Sequence, residues 1–188
     1  MLLSPEERQY LLSLARESIA RAIDNRPLPS VDEDDVPERL QRDGASFVTL
    51  KKYGQLRGCI GSLEARRPLM LDVQQNAVAA ALRDPRFPPV DPEELDALAI
   101  EISVLSAPEP VDYEDADELL DKLRKGVDGV IIECGWRRAT FLPQVWETLP
   151  EKREFVQRLC LKAGMTADAY ADGELDVWTY QVLKIGES

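Results

Sequence analysis

The chain has 188 residues, of which 44% are hydrophobic and 31% are charged, which is typical of a soluble globular protein and not of a disordered one. It contains no histidine, which excludes catalysis by Ser-His-Asp or Cys-His groups and zinc binding through an HExxH motif. The net charge of −12 disfavours a general nucleic-acid binder, because neutralising phosphates requires surplus lysine and arginine.

The N-terminus and the cysteines predict a cytoplasmic location. The first residues, MLLSPEERQY, become polar and charged at once, unlike a signal peptide. No apolar run reaches the roughly 18 residues that span a membrane. Cys59, Cys134 and Cys160 are odd in number, widely spaced and without CxxC pairing, which suits a reducing compartment. We predict neither a metal site nor a bound cofactor.

The first predicted element is a helix. Ser4 can act as its N-cap, Glu7 can complete a capping box, and apolar residues at helical spacing extend it to about Asn25. Residues 26–37 contain three prolines and the acid run 32–35, and are predicted to form an exposed loop.

The rest of the chain is predicted to contain both strands and helices, in no regular alternation. The predicted strands are residues 46–51 and 56–63 in a first hairpin, 99–106, 130–134 and 138–142 in a second hairpin, and a closing strand over 175–185. Helices are predicted from 68 to 82, 116 to 125 and 150 to 163, with a short one at 91–94. Because the strands come in hairpins and the helices do not alternate with them, the predicted class is α+β with a largely antiparallel sheet and flanking helices.

The second arm of the first hairpin contains an unusual sequence, LRGCIGSLE at residues 56–64. Glycine weakens a strand interior by roughly 0.5–1 kcal/mol, because it loses the most backbone freedom and packs nothing. Gly58 and Gly61 therefore need a compensating gain. We expect that they allow a ligand or another chain to approach the main chain closely.

The alternation of a strand separates this sequence into two faces. Leu56 and Ile60 fall on one face and are predicted to pack against the helix that follows. Arg57, Cys59 and Gly61 fall on the other, which would present a cation, a thiol and bare backbone.

The same region is basic in an acidic protein. Between residues 51 and 67, five basic residues stand against one acid, a local net charge of +4. This island suggests a small anionic ligand or an acidic partner. The alternative is that its side chains pair with neighbouring acids.

Four interpretations of this strand stay open. The glycines could mark a β-bulge around a cysteine that only packs. Cys59 could be a nucleophile whose pKa Arg57 lowers, with Glu101 or Glu64 as proton acceptor. The GCIG tetrapeptide could contact a nucleic-acid backbone, although both flanks look like strands and the chain is acidic. The basic island could dock an acidic protein partner.

Two further segments carry candidate ligand-binding residues. Arg86 lies in the turn at residues 84–90, where three prolines could hold it preorganised for an anion. Gln144 and Trp146 form an amide–indole pair, which is common in ligand clefts but also at core corners.

These segments together resemble the AMMECR domain family, in its stand-alone prokaryotic form called AmmeMemoRadiSam system protein A. The resemblance rests on six blocks in order, which are residues 47–50, 56–64, 84–90, 101–106, 126–130 and 140–147. It implies a single domain over residues 1–188 with a larger and a smaller lobe, the smaller built mainly from residues around 107–150. It also implies that the LRGCIG strand borders a cleft.

The resemblance further implies action with a Memo-like protein and a radical S-adenosylmethionine enzyme in modifying a small molecule or a protein. The predicted catalytic residues are Cys59, Arg57 and, less directly, Glu101. The predicted ligand-binding residues are Gly58, Gly61, Arg86, Gln144 and Trp146. The alternative function is a non-catalytic binding or scaffold module that docks an acidic partner or an anionic ligand on the LRGCIG strand.

Overall fold

The computed structural model describes residues 3–31, 36–171 and 173–187. The predicted acid run at 32–35 lies outside the described residues. The chain divides into two compact units, residues 1–106 with 183–188, and residues 107–182. Among the described residues, every helix is too short or too polar to cross a membrane.

The helices and strands are numbered in chain order. They are α1 (Pro5–Ile23), β1 (Ala45–Lys52), β2 (Gln55–Gly61), α2 (Leu69–Leu82), β3 (Leu98–Leu105), β4 (Glu109–Pro110), α3 (Ala116–Lys122), β5 (Gly129–Cys134), β6 (Arg137–Phe141), α4 (Lys152–Lys162), β7 (Asp176–Tyr180) and β8 (Val182–Gly186). Short 3-10 helices cover Glu38–Gln41, Pro92–Ala97 and Pro143–Glu147.

The start of α1 follows the predicted capping box. The Glu7 backbone N–H donates to Ser4 Oγ at 3.2 Å, and the Ser4 N–H donates to Glu7 Oε2 at 2.7 Å. The helix ends at Ile23, two residues before the predicted end, and Asn25 has a φ of 55° that helical residues do not adopt.

The first unit packs α1 and α2 against a four-stranded sheet of order β2-β1-β3-β8. β1 pairs antiparallel with both β2 and β3. Alternate residues of β1 and β3 enter the core of this unit with the helices, including Val48, Leu50, Ile100 and Ile102. The opposite face of the sheet holds the polar residues between them, as strand alternation requires.

The second unit packs α3 and α4 against a sheet of order β4-β7-β5-β6, in which the β4–β7, β7–β5 and β5–β6 pairs are antiparallel. Its core includes Val130, Ile132, Phe155 and Leu159. Two antiparallel sheets with helices packed against them confirm the predicted α+β class.

The strands differ from the prediction in the closing segment and at β4. The predicted closing strand 175–185 is two strands, β7 in the second unit's sheet and β8 in the first unit's sheet. The two-residue strand β4 was not predicted, because it is too short to show alternation. The second unit, residues 107–182, includes α4 in its core and β7 in its sheet.

Candidate functional site

The LRGCIG sequence forms β2, and its pairing with β1 is irregular at Arg57. Gly58 lies opposite Leu50 and Leu56 lies opposite Lys51, so Arg57 is the extra residue of a β-bulge. Because of the bulge, residues before Arg57 point to the opposite face from the one that simple alternation predicts. Leu56 is accordingly 44% exposed. The prediction that Leu56 packs against the following helix is therefore wrong, whereas Ile60 does pack against the core of the first unit.

The two glycines of β2 make room for other parts of the first unit. A Cβ atom on Gly58 would lie 2.1 Å from the Ala80 carbonyl oxygen, so the absent side chain allows α2 to approach β2. A Cβ atom on Gly61 would lie 2.2 Å from the Phe47 ring. Intramolecular packing thus explains both glycines, and ligand contacts at either residue stay a prediction.

Cys59 lies on the face of the sheet that points away from α2. Its half-buried thiol accepts a hydrogen bond from Thr49 Oγ1 at 3.3 Å, across the β1–β2 pair. Thr49 also lies opposite Glu101 of β3, so Glu101 is two strands from Cys59, roughly 10 Å by strand spacing. Glu101 forms an ion pair with Lys51 at 3.2 Å.

The turn after α2 braces the main chain of Cys59. The Cys59 N–H donates to Asp84 Oδ2 at 2.8 Å, and Arg86 Nη2 donates to the Cys59 carbonyl at 3.2 Å. Arg86 also holds Asp84 through Nε and Nη2, at 2.9 and 2.7 Å. Because β2 is at the edge of its sheet, this brace satisfies polar groups that another strand would otherwise pair with.

The brace keeps a guanidinium beside the thiol. The Arg86 hydrogen bonds hold the pKa of Asp84 well below its usual range, against the effect of burial. Asp84 in turn raises the pKa of Arg86, with a smaller contribution from the Cys59 thiol. The Arg86 side chain is 53% exposed, and Nη1 has no hydrogen-bond partner among the described residues. A fixed and permanently charged donor therefore reaches solvent next to Cys59.

Arg57, in contrast, is occupied within the first unit. Its Nε and Nη2 donate to the two oxygens of Glu94 at 3.1 and 2.8 Å, and Nη1 donates to the Pro88 carbonyl at 2.9 Å. Lys52 donates to the same carboxylate at 2.8 Å. The side chains of Arg57 and Glu94 are only 13% and 17% exposed. Arg57 and Lys52 together lower the pKa of Glu94 far below its usual range.

The cations of the basic island are all paired with neighbouring acids, and two of them share one carboxylate. Each of its cations has a carboxylate partner, in the pairs Lys51–Glu101, Lys52–Glu94, Arg57–Glu94, Arg66–Glu64 and Arg67–Asp72. The alternative that these side chains pair with neighbouring acids is confirmed.

Gln144 and Trp146 belong to the second unit. Trp146 is 2% exposed, stacks on Phe155 at 3.6 Å between ring centroids, and donates from Nε1 to the Asp128 carbonyl at 2.7 Å. These contacts make it a core residue of this unit. Gln144 Oε1 is buried and accepts no hydrogen bond from any described residue. Ligand contacts of Gln144 and Trp146 stay predictions.

Sequence reasoning missed three residues that surround Cys59 and Arg57. Asp84 could have been found, because it stands two residues before Arg86 and both flank a proline. Thr49 and Glu94 gave no such signal, since Thr49 is an ordinary strand residue and Glu94 fits the capping pattern of a 3-10 helix that it does complete. Among the described residues, no group of three His, Cys, Asp or Glu could hold a metal ion.

The Glu94 cluster predicts an acid-sensitive contribution to stability. A carboxylate with a lowered pKa stabilises the fold fully above its ordinary pKa of 4.5, and this stabilisation is lost as pH falls toward the folded value. We expect Glu94→Gln to lower the free energy of unfolding by about 2 kcal/mol at neutral pH, and by progressively less below about pH 4. Urea unfolding of wild type and Glu94→Gln, from neutral pH to below about pH 4, measures this difference in stability. A difference that does not change with pH would contradict the prediction.

The architecture defines the class of protein: two antiparallel α+β units, with a thiol and a guanidinium braced at the edge of the first unit's sheet. A protein-family model described as AMMECR1 matches residues 12–185. The chain belongs to this family.

Relatives cover nearly the whole chain. A protein of Methanothermobacter thermautotrophicus is 42% identical over 187 residues, which is 95% of this chain and 93% of the relative. A protein of Thermotoga maritima is 41% identical over 153 residues, 80% of this chain and 82% of the relative. The crystal structure of an uncharacterized protein from Pyrococcus horikoshii is similar with a TM-score of 0.83 at 33% identity, covering 99% of this chain and 94% of that one.

Proposed function

We propose that the chain binds a carboxylate or phosphate group at Arg86, beside the Cys59 thiol. The observation that carries the proposal is the orientation of the Arg86 guanidinium. Its hydrogen bonds to Asp84 and to the Cys59 carbonyl fix the group, and Nη1 has no hydrogen-bond partner among the described residues. A planar donor that is already oriented loses little freedom when it binds an anion. The sequence also indicated Arg86 as a cation preorganised for an anion, whereas Glu94 occupies the donors of Arg57.

The bound group would lie beside the Cys59 thiol. The Thr49 hydroxyl donates to Cys59 Sγ, and the Arg86 guanidinium is a nearby cation. A thiol that lies against a bound substrate is placed to act as a nucleophile. This favours a second candidate function, in which Cys59 is a nucleophile toward the anionic substrate that Arg86 holds.

Membership of the family supports a proposal about the proteins with which this site acts. In our proposal the chain acts in the cytoplasm with a Memo-like protein and a radical S-adenosylmethionine enzyme, in modifying a small molecule or a protein. Incubating the three proteins and comparing the products of wild type and Cys59→Ser by mass spectrometry tests this setting. Identical products would leave Cys59 a packing residue only.

Alkylation of Cys59 by iodoacetamide tests the anion site itself. Inorganic phosphate bound at Arg86 should shield Cys59, and should slow its alkylation about tenfold at about ten times the dissociation constant of phosphate. Two cysteines of the same chain serve as internal controls. Cys134 is exposed and should react at an unchanged rate, and Cys160 is buried, which raises its pKa to about 11 and should keep it unreactive.

A further inference from the structure

A half-buried aromatic ring, that of Phe47, shares the Cys59 face of the first unit's sheet. Thr49 lies opposite Cys59 in the β1–β2 pair and donates to its thiol, so both side chains lie on one face. Two residues away in each strand, Phe47 lies opposite Gly61, with no irregularity in the pairing between these positions. Strand alternation therefore places the Phe47 ring on the same face as the Cys59 thiol.

The absent side chain of Gly61 lets this ring lean from β1 across onto β2. A Cβ atom on Gly61 would lie 2.2 and 2.3 Å from two carbon atoms of the Phe47 ring, so the ring rests on the Gly61 main chain. Gly61 is two residues from Cys59, which places the ring about 7 Å from Cys59 along β2. Because one side of the ring contacts the sheet, its exposed part faces away from the sheet.

The Phe47 ring is not part of the apolar packing that stabilises either unit. Among the described residues, neither core includes it, because the first unit's core lies on the other side of the sheet with Val48 and Leu50. Within the same ranges, no other aromatic ring stacks on it. Small-molecule sites combine aromatic surface with a few fixed polar groups, and Phe47 beside the oriented Arg86 guanidinium has this composition.

The neighbours of Cys59 leave one favourable direction for an apolar group along the sheet. Toward the β1–β2 turn, the same face of β1 continues with Lys51, which is paired with Glu101 at 3.2 Å. An apolar group placed there would remove water from this ion pair, which costs free energy. In the opposite direction, Phe47 and Gly61 offer an aromatic ring and bare main chain, which lose little when they are covered.

We propose that the anion bound at Arg86 carries an aromatic group, which stacks on Phe47. The ligand class is then an aryl-substituted phosphate or carboxylate, with a short linker that spans the roughly 7 Å between Cys59 and the ring. The inference rests on the anion site proposed above: Arg86 holds the charge, and Phe47 selects the group attached to it. Paired aromatic rings attract one another beyond the area that they bury, which gives this selection.

Protection of Cys59 from iodoacetamide by two phosphate monoesters tests the proposal. Propyl phosphate carries the anion and the linker, and 3-phenylpropyl phosphate adds the ring. In wild type we expect the ring to lower the concentration for half-protection about tenfold. In Phe47→Ala, shown to be folded by urea unfolding, the two esters should protect within about twofold of each other. Tyr53→Ala, which removes an 84% exposed ring at the β1–β2 turn, should keep the tenfold difference.

The wild-type comparison needs no variant, so it tests the proposal even if Phe47→Ala does not fold. Protection by inorganic phosphate together with equal protection by the two esters would contradict the aromatic group and leave the anion site supported. Absence of protection by any phosphate would overturn both proposals. An undiminished advantage of the aryl ester in folded Phe47→Ala, or equal protection by neutral 3-phenylpropanol, would show that the ring binds elsewhere or without the anion.

Discussion

Replacing Asp72 by asparagine should lower the free energy of unfolding by about 3–5 kcal/mol, the largest loss that we expect from an isosteric change in this chain. Asp72 lies in α2 with 1% exposure. Its Oδ2 accepts from the Ser46 N–H, the Ser46 hydroxyl and Asn76 Nδ2, at 2.8, 2.7 and 2.9 Å. Its Oδ1 accepts from the Ser62 hydroxyl at 2.8 Å.

The size of this effect follows from burial. An asparagine amide would place its NH₂ group against these donors and leave at least one of them without an acceptor. A buried polar group without a partner costs far more than an exposed one. Urea unfolding followed by circular dichroism, to which α1 and α2 contribute the longer helices, measures the loss. Glu93→Gln, an exposed acid in the same unit, should change stability by less than about 0.5 kcal/mol. A similarly small change for Asp72→Asn would contradict the described network.

Replacing Gly58 by alanine should cost about 3 kcal/mol, at the upper end of overpacking in a core. The new methyl group would lie 2.1 Å from the Ala80 carbonyl oxygen, and a helix backbone cannot move aside as a side chain can. Either α2 or β2 must shift, which would also disturb the bonds from Asp84 and Arg86 to the main chain of Cys59.

Gly54→Ala is the matched control for this substitution. A Cβ atom on Gly54 would meet no described atom within 4 Å, and the φ of +79° leaves only backbone strain, about 1 kcal/mol. Chemical unfolding of the two variants should therefore rank Gly58→Ala as clearly less stable. Equal losses would show that α2 does not approach β2 as described.

The fold class followed from the sequence because its signals are local. The capping box of α1 and the arms of both hairpins depend on a few adjacent residues, and tertiary contacts did not override them. The division of the last segment into β7 and β8 could not be predicted, because both strands have strand-like patterns and only their different sheets separate them.

The sequence indicated candidate site residues but not which of them pair with one another. The sequence singled out Arg57, Cys59 and Arg86, yet it offered no reason to assign Glu94 to Arg57, which lies 37 residues away in the chain. The purpose of the glycines was also hidden, since the close approach of Ala80 to Gly58 depends on how α2 packs. Contacts between residues distant in the chain therefore determine that Arg86, and not Arg57, keeps an N–H donor without a partner among the described residues.

The most direct measurement of the central claim is phosphate protection of Cys59 in Arg86 variants, with ionic strength held constant by sodium chloride. Our account predicts that phosphate slows Cys59 alkylation in wild type, that Arg86→Gln abolishes this protection, and that Cys134 reacts at the same rate throughout. Urea unfolding of Arg86→Gln should show that the variant is folded under the labelling conditions. Unchanged protection in a folded Arg86→Gln, or equal slowing of Cys59 and Cys134, would contradict an anion site at Arg86.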